Sequence, residues 1–142
     1  GEMVRWEYDL WESLPEDAAV TIYMEANFMQ DTILDEFERE GNLRGYQVPV
    51  TADKRKKPDK FARIEAVSPL WERGFVWYNE KLKTDNDMKT GIEQTLAFEK
   101  GSHAHDDGPD ADEGAIYKLQ KQVREESFVP RMGLRQPPSQ SW

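Results

Sequence analysis

The stretch HAHDDGPDADEG, from His103 to Gly114, places two histidines and five acidic side chains in twelve residues. Carboxylates at this density suit hard divalent cations, which bind through a few acidic oxygens plus water and substrate phosphate. Asp106, Asp107 and Asp110 are the candidate ligands, and Gly108-Pro109 suits the first turn of a helix behind them. The same spacing also fits a plain helix start, in which an aspartate caps free N–H groups and the rest face water. The pair His103 and His105 suggests zinc, but no third nitrogen or sulfur ligand accompanies it.

A second acid stands apart from this cluster. Glu25 follows the β-branched and aromatic run from Val20 to Tyr23, which reads as a strand buried on both faces. A carboxylate there lies at the carboxyl end of a strand, where open α/β sheets place their ligands. The run Asp53–Arg63 supplies the opposite charge, with Lys54, Arg55, Lys56, Lys57, Lys60 and Arg63 within eleven residues. It reads either as a solvated loop leading into a helix or as a track for phosphates.

Several elements must position these groups. Residues 1–18 read as a short aromatic helix or an irregular segment closed by Pro15. After the first strand, Asn27 caps a helix carrying Phe28, Ile33, Leu34 and Phe37, with Gly41 as its stop. Tyr46–Val50 reads as a second strand, so strand, helix and strand make a parallel βαβ unit. A helix from Pro58 to about Arg73 follows, ended by Gly74, with Phe61, Ile64, Val67 and Leu70 on its apolar face. Phe75–Asn79 is expected as a third strand, Asp87–Lys100 as a helix weakened by Gly91, and Asp110 to Glu126 as the last helix. The fold class is therefore α/β, with a short, mainly parallel sheet flanked by helices.

The 142 residues suit one domain over 1–126 and a flexible tail over 127–142. No cysteine is present, so disulfides and thiolate metal sites are excluded. No apolar run approaches the roughly 20 residues that span a bilayer, and the expected location is the cytoplasm, without a membrane partner. A net charge of −9 argues against a protein that coats nucleic acid over its whole surface, while leaving room for a local basic track.

Three segments, in this order, carry a resemblance: VTIYMEANFMQDTILDEFEREG, KFARIEAVSPLWERGFVWYN and HAHDDGPDADEGAIYKL. Over Val20 to Leu119 the chain resembles the C-terminal nuclease domain of tailed-phage terminase large subunits. Its most specific element is the His-Asp-Asp-x-x-Asp-Ala corner, His105 to Ala111.

The resemblance implies an RNase H-like fold and a metal-dependent endonuclease, using Mg²⁺ or Mn²⁺, that cuts concatemeric phage DNA in the host cytoplasm. It makes Glu25 the middle acid of the metal site and Asp107 the last, with Asp106 a second candidate and Asp110 assisting. Lys60 and Arg63 would approach DNA phosphate or fix their helix. The implied partners are double-stranded DNA, the terminase ATPase domain, the portal and the small terminase subunit. The family's first acid lies on an initial strand that residues 1–18 do not supply, so the expectation is a partial domain whose isolated activity is weak or absent. A non-catalytic docking module of the packaging motor, or an RNase H-like resolvase or recombinase, is the alternative.

Overall fold

A computed structural model describes residues 1–127, with side chains to Arg124. Among the described residues, five α-helices and a two-stranded parallel sheet make an α/β protein. The chain divides into two compact units, Gly1–Lys56 and Lys57–Trp142.

In the first unit the helical alternative holds for the opening segment, as α1 (Glu2–Ser13). Val4 and Tyr8 stand one turn apart on its inner face and are buried against Phe37 and Val48. The Tyr8 hydroxyl donates to the Phe37 carbonyl at 3.0 Å, which satisfies the one polar atom that this ring carries into the core. Strands β1 (Ile22–Glu25) and β2 (Val50–Asp53) pair in parallel around α2 (Asp31–Arg44), so the expected βαβ unit is present.

Its details differ from the expectation. Only the Ile22 and Met24 side of β1 packs on the core, while Tyr23 is 46% exposed, so the strand is not buried on both faces. Asn27 does not cap α2: a tight turn with Phe28 N–H on the Glu25 carbonyl at 2.9 Å intervenes, and Gln30 is the cap residue. Phe28 is accordingly outside the helix and exposed. Gly41 is not the stop either. It is buried inside α2 because the Gln47 side chain occupies the space a Cβ would need. Gly45 ends the helix at φ 84, a backbone state that glycine adopts without steric cost. The second strand begins at Val50 instead of Tyr46, since Tyr46 and Val48 serve the core and Pro49 has no N–H for the ladder.

The second unit is helical. Helix α3 (Lys60–Glu72) starts two residues after Pro58, capped by the Asp59 carboxylate on the Ala62 N–H at 3.1 Å, and Gly74 follows its end at φ 72. Pro69 lies within α3 and cannot bond the Glu65 carbonyl. The Ser68 hydroxyl supplies that bond at 2.8 Å. Phe75–Asn79 forms no strand, and Phe75 and Trp77 are 68% and 87% exposed. Its β-forming composition needs a neighbouring strand to be realised, and the sheet of the described residues has two strands only.

Helix α4 (Asn86–Leu96) is present but ends at Leu96, short of the expected Lys100, and α5 (Asp107–Ser127) begins three residues earlier than expected. Gly108 lets α5 meet α4 closely: a Cβ there would lie 3.0 Å from the Gly91 backbone. The Gly108 N–H donates to Gln94 at 2.7 Å, which uses one of the free donors of the helix start. The expected tail, but for Ser127, lies outside the described residues.

Candidate functional site

Glu25 is the last residue of β1, exposed, at the carboxyl end of the strand as its sequence position implied. The parallel register sets it beside Asp53, the last residue of β2. Sequence reading missed that neighbour, because strand register is fixed by pairing and Asp53 reads as the start of the basic run. The Asp53 carboxylate accepts the Arg55 N–H at 3.1 Å, turning the chain out of the strand.

Glu25 belongs to the first unit and Asp106, Asp107 and Asp110 to the second. Within the second unit, two of these aspartates meet two residues of the basic run. Lys60 Nζ lies 3.1 Å from Asp106 and 3.6 Å from Asp110, and Arg63 Nη1 lies 2.7 Å from Asp110. Arg63 also pairs at 2.7 Å with Glu113, whose side chain is 3% exposed. The Arg63 Nε–H is spent on the Pro58 carbonyl at 3.1 Å. These contacts fix α3 against α5, which is the second of the two roles the sequence allowed for Lys60 and Arg63. Arg63, at 7% exposure, is turned inward and does not present its guanidinium to a phosphate.

The electrostatics follow from this ladder. Burial works against the charged form of Asp110, but the hydrogen bond and charge of Arg63 outweigh it and hold the carboxyl below its ordinary value. The hydrogen bond from Lys60 to Asp106, with the charge of Asp110, raises the lysine. Burial pushes Asp112 up. Asp107, the first residue of α5, is exposed and has no ion-pair partner among the described residues. Glu113 went unnoticed in the sequence, although its place three residues after Asp110 puts both on one helix face toward α3.

As donors for Mg²⁺ or Mn²⁺ these groups are incomplete. Asp106 and Asp110 are already neutralised by protein cations, and among the described residues no three His, Asp or Glu side chains form a group able to hold a metal ion. His105 lines a cleft of 230 Å³ with Lys60, Phe61, Phe98 and Asp106, in which the two phenylalanine rings stack at 5.6 Å. His103 is exposed. Of the remaining basic run, Lys54, Lys56 and Lys57 are exposed and Arg55 is half-buried. No helix among the described residues is long and apolar enough to cross a membrane.

No protein-family model, curated protein or solved structure matches this chain.

Proposed function

We propose that the chain contributes acidic residues to the active site of a divalent-metal-dependent DNA endonuclease of the terminase large-subunit kind, with an RNase H-like fold. One observation carries the reading. When Lys60 and Arg63 have taken Asp106, Asp110 and Glu113, the carboxylate left exposed at the start of α5 is Asp107, the residue the resemblance names as the last acid. A second acid, Glu25, stands at the carboxyl end of a parallel strand, as the same reading requires.

In this reading Asp106 and Asp110 are positioning residues. A ligand carboxylate must be held to within a fraction of an ångström, and the α3–α5 ion ladder supplies that stiffness at the helix start. The metal, when bound, supplies an activated water and charge at the leaving oxygen. Lys54 and Lys56, exposed on the segment after β2, suit contacts to the DNA backbone. Double-stranded DNA is the substrate, and the ATPase domain, portal and small terminase subunit are the partners of the full-length protein. The host cytoplasm is its place of action.

The test is cleavage of plasmid DNA by the full-length protein with Mg²⁺ or Mn²⁺. Asp107→Ala and Glu25→Ala are expected to lower cleavage at least 100-fold, on the order of what losing a key electrostatic group costs, with the folded state kept. Wild-type cleavage by Asp107→Ala would overturn the assignment. A docking module of the motor is favoured by a different observation, the exposure of Trp77 and Phe75. It is the correct reading if the full-length wild type shows no metal-dependent cleavage.

A further inference from the structure

A cleft of 290 Å³ opens in the first unit where the end of α1, the chain leading to β1 and the turn after α2 come together. Trp11, Leu14, Val20 and Tyr46 line it with apolar surface, and Glu12 and Glu16 add two carboxylates. None of the described side chains that line it is a cation. Its walls are anchored. Trp11 packs on the core, and the Tyr46 ring lies 5.5 Å from that of Tyr8 while its hydroxyl donates to Glu12 at 2.7 Å. The Ala18 N–H closes a turn on the Pro15 carbonyl at 3.0 Å, and the Tyr46 N–H bonds the Gly41 carbonyl at 3.1 Å.

The chemistry of these walls selects an occupant. The volume is at the lower end for ligand sites, which suits a single side chain better than a cofactor. Two carboxylates repel an anion, and a wholly apolar group would strip them of water without replacing their hydrogen bonds. The surrounding charge is also unbalanced. Arg44 is shared among Asp9 at 2.8 Å, Glu12 at 3.1 Å and Glu40 at 2.7 Å, so one cation faces three acids, and Glu16 has no ion-pair partner among the described residues. A cation on an apolar stem meets both demands, with its stem on the aliphatic wall and its head against the aromatic rings and the acids. Of the two such side chains, arginine fits better, because a planar guanidinium stacks on a ring and meets a carboxylate through two hydrogen bonds.

We propose that this cleft receives an arginine side chain of a partner protein, with the guanidinium against Trp11 and the carboxylates of Glu12 and Glu16. The inference is independent of any nuclease activity.

The full chain, labelled with ¹⁵N, tests it by titration with Nα-acetyl-arginine methylamide, and with the citrulline analogue as the uncharged probe of the same shape. The arginine probe is expected to move the Trp11 indole signal and the amides of residues 14–20 with millimolar affinity, and the citrulline probe to bind at least about tenfold more weakly, on the order of what a charge-assisted hydrogen bond contributes. Glu16→Gln, a change at an exposed position that leaves the core intact, is expected to weaken the arginine probe about threefold, the effect of one exposed ion pair. Equal binding of the two probes would overturn the proposal, as would shifts that spare Trp11 or an affinity that Glu16→Gln leaves unchanged.

Discussion

Arg63 is the buried cation that joins α3 to α5. It is buried, and it joins Asp110 and Glu113 to Pro58 through three hydrogen bonds of 2.7, 2.7 and 3.1 Å. Arg63→Ala removes the guanidinium from the buried Glu113 carboxylate, and breaking such a pair costs about 3–5 kcal/mol. Urea denaturation measures this loss, and a change under about 1 kcal/mol would show that water replaces the guanidinium. The pH dependence has a definite sign. Asp110 is held below its ordinary value of 3.8, so its contribution is present above that pH and disappears as pH falls through the lower folded value. In the Arg63→Ala variant that acid-dependent loss is expected to shrink, because the cause of the lowering is gone. The first unit has a counterpart in Arg44, which bonds Glu40 at 2.7 Å and Asp9 at 2.8 Å and lies over the Tyr8 ring at 5.4 Å. Tyr46, which donates to Glu12 at 2.7 Å, is pushed up to about 12, chiefly by burial.

Among the elements, α4 and α5 give the sharpest contrast between two glycines. Gly91 sits inside α4 with open space where a Cβ would go, so Gly91→Ala is expected to stabilise the helix by roughly 0.5–1 kcal/mol through the unfolded chain. Gly108 has no such room, since its Cβ would press on the Gly91 backbone at 3.0 Å and on the Gln94 side chain at 3.1 Å. Gly108→Ala is expected to destabilise by about 1–3 kcal/mol, the usual range for forcing atoms into a packed contact. Thermal unfolding of the two variants checks both, and equal shifts in one direction would mean that α4 and α5 do not meet there. The close approach therefore requires glycine at 108, while Gly91 lends only its backbone to it. The tight approach also places the first turn of α5, which includes Asp107.

At the scale of the molecule, charge governs how nucleic acid could be held. Lys60 and Arg63 are turned to internal acids, which leaves the exposed Lys54 and Lys56 as cations of the basic run that the proposed function sets on phosphate. Each phosphate contact contributes about 0.9 to the slope of log affinity against log salt. Lys54→Ala with Lys56→Ala in the full-length protein is therefore expected to flatten that slope by roughly 2. Fluorescence anisotropy with duplex DNA from 50 to 200 mM salt, on the order of the usual range, reads it. An unchanged slope would remove the 54–56 segment from the DNA path. The division at Lys56/Lys57 falls inside this basic run, so the segment links the two units as well as carrying charge.

The sequence by itself determined the α/β class, the parallel βαβ unit, the three helices of the second half and the place of Glu25 at a strand end. These rest on periodicity and on glycine, proline and capping side chains, which act over a few residues. Only the tertiary structure decided which charges are spent. Lys60 and Arg63 pair with acids 46 and 50 positions away, and such partners are fixed by packing between helices. It also decided that Phe75–Asn79 forms no strand, because a strand exists only where a neighbour offers its hydrogen bonds. Likewise Gly41 continued its helix and Gly45 ended it, since the burial of Gly41 against Gln47 depends on a contact that local spacing does not encode.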